Sequence, residues 1–214
     1  MSSPERAETR RHRIELVSTI LLAVAAVATA WSTFQATRWR GVQTADYSKA
    51  TAARIQSSQA STRAGQLTQI DIATFIQWID ADVAGDRKLA QFYRHRFRAE
   101  FQPAFAAWLQ TAPRTNPRAP LSPFAMPQYR VAEAVAADRL NTAAGQRADA
   151  AGEANQRGDN YMLAVVLFAS ALFFAGISTK IRAPRQQEVI LGLGCLILVG
   201  TAIWLATLPV SFSV

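Results

Sequence analysis

The densest group of side chains that could bind a ligand is the run Arg94-His95-Arg96-Phe97-Arg98, in which guanidinium groups alternate with aromatic rings. Such a pattern is typical of patches that bind phosphate groups or nucleic acid. Residues four apart share one face of a helix, so Arg94 and Arg98 would form a basic strip while Phe97 points into a core. A solvated basic strip explains the run best. Contact with anionic lipid headgroups through Arg94 and Arg98 is the functional alternative, and we predict no nucleic-acid partner.

Carboxylates that could hold a divalent cation are concentrated at Asp80, Asp82 and Asp86. Oxygen ligands bind hard cations, but the run lacks the glycine position and the closing glutamate of an EF-hand loop. An acidic turn at the end of a helix accounts for it. His95 is the one histidine outside the N-terminal tail and Cys195 is the one cysteine, which excludes multi-histidine sites, cysteine zinc sites and disulfides. We therefore predict neither a metal site nor a cofactor-binding site.

No group of residues in the sequence indicates catalysis. There is no glycine-rich phosphate loop, no G-x-S-x-G elbow, and no recognisable set of serine, histidine and aspartate. Apart from Glu15 and Asp159 at their ends, the hydrophobic segments contain no acidic or basic side chain, whereas ion-coupled transport needs such groups inside a helix bundle. The sequence therefore predicts a protein that is not an enzyme, has no catalytic residue, and is no ion-coupled transporter as a single copy.

Three long blocks of apolar residues predict three transmembrane helices, at 14–37, 159–179 and 189–209. Each block supplies close to the roughly 20 apolar residues that cross about 30 Å of hydrocarbon. Charged residues such as Lys180 and Glu188 lie at the ends of the blocks, where they can reach the membrane surface. A charge at mid-bilayer would instead cost about 2.5–3.5 kcal/mol.

The first block can be interpreted in two ways. An arginine-rich tail, an apolar run and then Ala28-Thr29-Ala30 also fit a cleavable signal peptide. However, sequence compatible with a helix continues past this point without a turn signal. Trp31 and Trp39, together with Arg38, are typical of an anchor at the far membrane interface. We therefore favour an uncleaved first span, with cleavage as the alternative.

The orientation follows from two short cationic segments, the tail 1–13 and the loop 180–188. Two spans separate these segments, so both lie on one side of the membrane. Because lysine and arginine are enriched in cytoplasmic loops, that side is predicted to be the cytoplasm. The segment 38–158 and the tail 210–214 are then external. The net charge of +8 fits this topology as well as it fits an anionic partner.

The sequence of the external segment 38–158 predicts that this segment folds as an antiparallel helical bundle. From residue 42 to 84 there is no proline and one glycine, so the first span is expected to continue as one long helix. Its end carries an apolar face with spacings of four, three and four, formed by Ile72, Ile76, Ile79 and Val83. The sequence around Gly85 and Asp86 predicts a break.

Two further helices and a loop complete the predicted bundle. A helix over 87–109 is expected to kink or restart at Pro103. Five prolines make 111–128 a loop, and an alanine-rich helix over 130–156 then leads to the second span. Apolar residues in and beside the loop form a candidate interaction surface that packs on the helices: Leu121, Phe124, Met126 and Tyr129.

Four segments together resemble a family of small, uncharacterised bacterial membrane proteins. They are W-S-T-F-Q-A-T-R-W-R-G-V-Q (31–43), S-T-R-A-G-Q (61–66), P-F-A-M-P (123–127) and E-A-N-Q-R-G-D-N-Y (153–161). The resemblance implies one N-terminal span, a helical insert and a C-terminal hairpin of two spans in a bacterial inner membrane, with the insert in the periplasm. It implies no activity.

Our leading hypothesis is a non-enzymatic scaffold that acts through its external helical domain. Its partners would be membrane lipids and either further copies of itself or another envelope protein. A second hypothesis is a lipid or small-molecule sensor or carrier with an apolar pocket under the proline-rich loop. A third is an oligomeric channel lined by serine and threonine faces.

Overall fold

The computed structural model describes residues 3–181 and 183–211, with side chains from residue 12 onwards except at 13 and 184. In this part of the chain there are five α-helices and no β-strand, which confirms the predicted all-α fold class. The helices are α1 (Ser3–Val83), α2 (Arg87–Arg94), α3 (Gln102–Gln110), α4 (Ala132–Ser178) and α5 (Pro184–Ala206). The side chains of the tail arginines, Arg182, and the end of the tail 210–214 lie outside the described residues.

Three helices, α1, α4 and α5, are long and apolar enough to cross a membrane. The three predicted spans are therefore confirmed by length and composition. Within these spans Val27 and Leu196 are largely exposed, whereas Ala25 and Ala171 are fully buried. Small side chains inside and large apolar side chains outside are the arrangement expected for helices that pack in lipid, where close backbone approach drives association.

The chain divides into two compact units. The first contains Met1–Tyr47 and Ala148–Val214, and the second contains Ser48–Arg147. In the first unit, α1 and α4 run antiparallel, because the start of α1 contacts the end of α4 and later residues of α1 contact earlier residues of α4. The hydroxyl oxygens of Ser18 and Ser178 are 3.4 Å apart, and a β-carbon at Gly158 would lie 3.6 Å from the carbonyl oxygen of Ala36.

In the second unit, the buried face of α1 repeats every seven residues. Positions at that interval are buried or half-buried: Ala50, Ser57, Ala64, Asp71 and Trp78. The hydroxyl of Ser57 donates a hydrogen bond of 2.8 Å to the carbonyl of Ala137, which places α4 against this face. A seven-residue repeat of buried positions is the spacing of helices packed as a coiled coil.

The predicted single helix over 87–109 is wrong, because two short helices, α2 and α3, replace it. The chain turns between Arg94 and Gln102, and Phe97 and Phe101 become buried there. Pro103 lies in the first turn of α3, where its missing N–H leaves no hydrogen bond unmade. Of the two outcomes expected at this proline, the restart is therefore the one observed.

α1 ends at Val83, where the sequence predicts a break. Gly85 has a φ of +77°, which lets the amide of Asp86 donate to the carbonyl of Ala81 at 3.0 Å. This hydrogen bond closes the helix end, and glycine adopts the left-handed conformation at little cost. The side chain of Asp86 then caps α2 by accepting from the amide of Leu89 at 3.0 Å.

Replacing Gly194 should disrupt the packing of α5 on α4. A β-carbon at Gly194 would lie 3.3 Å from the carbonyl oxygen of Ala171, whereas one at Gly192 would have nothing within 4 Å. We expect Gly194→Val to lower the unfolding free energy in mild detergent by about 1–3 kcal/mol through overpacking, and Gly192→Val to change it much less. Similar losses in both variants would show that the close approach at Gly194 is unimportant.

Candidate functional site

An aromatic cluster covers the end of α1 in the second unit. Its buried members are Phe75, Trp78, Ala81, Ala90, Phe97, Phe101, Phe105 and Trp108. Trp78 and Phe105 pack edge to face with their ring centres 4.8 Å apart, a geometry that aromatic pairs favour. The indole N–H of Trp108 donates to the carbonyl of Pro120 at 2.8 Å. The cluster therefore fixes α3 and the proline-rich loop on α1.

Beside the cluster, Asp71 forms the centre of a buried polar network that we call the Asp71 clasp. Asp71 is fully buried, and its Oδ2 accepts from Nη1 of Arg98 at 2.9 Å and from the hydroxyl of Tyr129 at 3.0 Å. The Tyr129 hydroxyl also lies 3.3 Å from Oγ1 of Thr68, and Arg98 pairs with Glu100. The clasp thus joins α1 to the turn before α3 and to the segment before α4.

Burial dominates the electrostatics of the clasp. It raises the pKa of Asp71 above its usual value, although the hydrogen bond from Tyr129 and the charge of Arg98 act in the opposite direction. Burial likewise raises the pKa of Tyr129. Among the described residues Oδ1 of Asp71 has no hydrogen-bond partner. An ion pair enclosed in this way can hold three segments in one register, and we infer that its role is structural.

Of the four apolar residues of the candidate interaction surface, one faces solvent and the others turn inwards. Leu121 is 99% exposed. Phe124 stacks on Phe101 with ring centres 5.1 Å apart, and Met126 and Tyr129 also pack against the aromatic cluster. Of the four residues of the candidate interaction surface, only Leu121 is therefore fully exposed to a partner, and the other three pack against the aromatic cluster.

The basic run does not lie on one helical face. α2 ends at Arg94, whose guanidinium carbon lies 5.9 Å from the ring centre of Phe105. Arg98 is half-buried in the clasp, and Arg96 lies 3.5 Å above the ring of Phe92. Contact of Arg94 with lipid headgroups stays a prediction. For Arg98 such contact would require breaking its pair with Asp71.

The acidic residues at the end of α1 have local structural roles. Asp86 caps α2, and Asp82 pairs with Arg114. In the described part of the chain no three histidine, cysteine, aspartate or glutamate residues come together as a metal site. These contacts agree with the interpretation of an acidic turn at a helix end.

The two tryptophans predicted as interface anchors differ in position. Trp31 is partly exposed, whereas Trp39 is buried and donates from its indole N–H to the carbonyl of Pro209 at 3.2 Å. Buried Gln35 accepts from the amide of Ser211 at 3.0 Å and donates to its carbonyl at 3.5 Å. Trp39 therefore helps to hold the segment after α5 in the first unit.

The apolar face predicted at the end of α1 exists but is left uncovered. Ile72, Ile76 and Val83 are 40%, 49% and 77% exposed, while Ile79 is partly buried against the aromatic cluster. We call the four residues the isoleucine stripe. The helix buries Phe75 and Trp78 on the neighbouring side instead. The stripe is thus a row of apolar side chains on a regular helix, of which Ile72, Ile76 and Val83 are exposed.

The central residues of these two networks, Asp71 and Gln35, were not identified from the sequence. The feature that could have identified Asp71 from the sequence is its charge. It lies between Ile70 and Ile72, on a stretch of helix that is otherwise uncharged. Gln35 lies near the end of the first predicted span, 14–37, where a polar residue is ordinary. Both have partners far along the chain, which sequence patterns do not identify.

Removing the carboxylate of Asp71 should destabilise the second unit. Asp71→Ala leaves the guanidinium of Arg98 and the hydroxyl of Tyr129 without their shared acceptor, at an expected cost of about 3 kcal/mol. Asp80→Ala is the matched control, because Asp80 lies exposed on the same helix, and it should change stability by less than about 0.5 kcal/mol. Denaturation of the full chain in mild detergent, followed by tryptophan fluorescence, measures both. Equal effects would contradict a role for the clasp.

Stability should also depend on pH through Asp71. Because its pKa is raised above 3.8, the native state binds more protons than the unfolded state between 3.8 and the raised pKa. The contribution of this carboxyl to the free energy of unfolding therefore decreases as the pH rises through that interval, and is constant above it. The difference in unfolding free energy between wild type and Asp71→Asn should fall with rising pH. A difference that grows would overturn this account.

Comparisons with known proteins provide no match to set beside these observations. No protein-family model matches the chain. The searches of curated proteins and of solved structures found no similar protein either. Functional inference for this chain therefore depends on its own residues and their contacts.

Proposed function

We propose that this chain is a membrane-anchored scaffold that associates with further copies of itself through the isoleucine stripe. In this proposal the insert, residues 38–158, forms an antiparallel helical bundle outside the bilayer, and the N-terminus is cytoplasmic. The chain would belong to the small bacterial membrane proteins that its sequence resembles, with the insert in the periplasm. No enzymatic activity is proposed.

The observation that carries the proposal is the exposure of the stripe. Ile72, Ile76 and Val83 lie on one side of α1, and hydrated helices normally bury such a face. A contiguous apolar face that is left open marks an interaction site more often than a single exposed side chain does. Spacings of four, three and four also suit packing against another helix.

The membrane anchor favours a second copy of the chain as the partner that covers the isoleucine stripe. Two copies inserted in one membrane with the same topology hold their α1 helices in the same direction. Their stripes are then at the same height above the membrane and can meet in an isologous contact. Confinement to a membrane also raises the effective concentration of one copy for another. A soluble partner has neither advantage.

Polar contacts in the second unit support a hydrated location for the insert. Arg114 pairs with Asp82, and both side chains are partly or largely exposed. Charged side chains of this kind are costly in hydrocarbon and ordinary in water. The positive-inside distribution of the tail 1–13 and the loop 180–188 supports the proposed orientation.

The aromatic cluster speaks against the carrier alternative. A pocket under the proline-rich loop would need space between the loop and α3. That position is occupied by Phe124 and Tyr129, whose ring centres are 5.1 Å apart and which both contact Phe101. Ring contacts of this density leave little room for a ligand, so the scaffold is the better-supported function.

Charges on the stripe should prevent self-association. The double variant Ile76→Asp, Val83→Asp places two carboxylates where apolar side chains would meet, so we expect it to shift to monomers by at least tenfold in dissociation constant. Because both positions are exposed in a single copy, folding should be preserved. Size-exclusion chromatography with light scattering in mild detergent, corrected for bound detergent, measures the oligomeric state of the full chain.

Gln66→Asp provides the matched control for these variants. Gln66 is exposed on α1 but lies outside the stripe, so the variant should associate like wild type. A wild-type chain that is monomeric in detergent and in reconstituted vesicles would refute the proposal. So would a double variant that associates as tightly as wild type.

A further inference from the structure

The short helix α2 exposes cations and large apolar side chains side by side. Leu89 and Phe92 are 41% and 46% exposed, and residues three apart are neighbours on a helix surface. Lys88 is exposed four residues before Phe92. In the turn after α2, the guanidinium carbon of Arg96 lies 3.5 Å from the centre of the Phe92 ring. Phe92 therefore lies between two cations with Leu89 beside it, and we call these four residues the α2 face.

The α2 face lies in a segment with an excess of positive charge. Residues 84–96 contain four lysines and arginines and a single carboxylate, that of Asp86. This carboxylate accepts a hydrogen bond from the amide of Leu89 as the cap of the helix. Within the described part of the chain, neither Arg87 nor Lys88 forms an ion pair. Charge complementarity therefore indicates an anionic partner.

The other side of α2 fixes the helix on its own unit. Ala90 is buried, and the hydroxyl of Tyr93 lies 3.4 Å from Oε1 of Gln77 on α1. Arg94 lies on this packed side, where its guanidinium carbon is 5.9 Å from the ring centre of Phe105. The α2 face is thus presented by a helix that is held in place, and it does not include Arg94.

Arg96 keeps hydrogen-bond donors for an anion while it covers the Phe92 ring. Its contact with the ring uses the flat face of the guanidinium, whereas phosphate oxygens bind at the edge. Its Nη1 donates to the carbonyl of Phe92 at 3.5 Å. A guanidinium has five N–H donors, so this one hydrogen bond leaves others for phosphate oxygens.

We propose that the α2 face docks on the surface of a membrane that contains anionic phospholipids. Leu89 and Phe92 enter the boundary between headgroups and acyl chains, and the cations on either side bind lipid phosphates. Interfacial helices combine leucine and phenylalanine with lysine and arginine in this way, and anionic headgroups attract such cations. Inorganic phosphate would satisfy the cations but leave both apolar side chains in water. The docking does not depend on the isoleucine stripe, which lies on α1.

A fluorescent label beside the α2 face tests docking in the full chain. In a Cys195→Ala background, His95→Cys places one thiol at an exposed position three residues from Phe92, where it carries an environment-sensitive dye. The labelled chain is reconstituted in vesicles of phosphatidylcholine, or of equal parts phosphatidylcholine and phosphatidylglycerol. In a second arrangement, the phosphatidylcholine vesicles that hold the chain are mixed with protein-free vesicles of phosphatidylglycerol.

Phosphatidylglycerol should raise the emission of the dye and shift it to shorter wavelength in at least one of the two arrangements, because docking moves the dye out of water. All reconstituted vesicles hold the same density of chains, so self-association does not produce the difference. No change in either arrangement would refute the proposal. A change of equal size with inorganic phosphate alone would also contradict it, because the site would then bind free phosphate.

Two double variants separate the cations of the α2 face from its apolar side chains. Lys88→Glu with Arg96→Glu should abolish the emission change, because glutamates repel anionic headgroups. Leu89→Ser with Phe92→Ser should lose the shift to shorter wavelength and keep only an attraction that salt screens. Because all four side chains are exposed, the variants should fold like wild type. An emission change that survives in both would overturn the proposal.

Arg63→Glu with Arg139→Glu is the matched control for the loss of charge. Both arginines are exposed in the second unit and lie outside α2. This variant has the same net charge as Lys88→Glu with Arg96→Glu, and we expect it to dock like wild type. Equal losses in the two variants would show that net charge, and not the α2 face, decides the attraction, and the proposal would fail.

Discussion

The buried face of α1 consists largely of small side chains, and the helices that pack on this face decide which sides of α1 remain exposed. In the first unit Ser18, Ala25 and Ser32 are buried at intervals of seven residues, and in the second Ala50 and Ala64 are buried two such intervals apart, in a different register. Small side chains remove little apolar area from water, so the contacts between closely spaced backbones provide much of the attraction. Many large apolar side chains, such as Val27 and Ile76, are consequently left on the other faces, whereas Phe75 and Trp78 are buried in the aromatic cluster.

This constraint explains why apolar side chains stay exposed in both units. In the first unit the exposed side of α1 carries large apolar residues such as Val24 and Val27, and in the second the exposed side carries the isoleucine stripe. The Asp71 clasp adds specificity to the second unit, because a buried carboxylate tolerates only the register that supplies Arg98 and Tyr129. We infer that this pair helps to select one arrangement of the three segments.

Features that depend on local sequence were predicted well. The spans follow from uninterrupted hydrophobicity, and the end of α1 follows from Gly85. The interpretation of 87–109 as one helix was wrong, because Phe97 and Phe101 have the spacing of a helix but enter the core from a turn. Periodicity alone does not distinguish these two cases.

Features that depend on distant partners could not be predicted. The amphipathic pattern selects the isoleucines for burial, yet Phe75 and Trp78 are buried instead, because aromatic rings on α3 and the loop offer larger contact areas. The clasp joins Asp71 to residues 27 and 58 positions away. No spacing rule connects such positions before the fold is known.

Cysteine cross-linking in native membranes tests the central claim, that the isoleucine stripe joins two copies, most directly. In a Cys195→Ala background, Ile76→Cys and Gln66→Cys each place one thiol on an exposed position of α1. Mild oxidation should link copies that carry Ile76→Cys into dimers, because an isologous contact brings the two thiols together. Copies that carry Gln66→Cys should stay unlinked. Equal cross-linking at both positions, or at neither, would contradict the account.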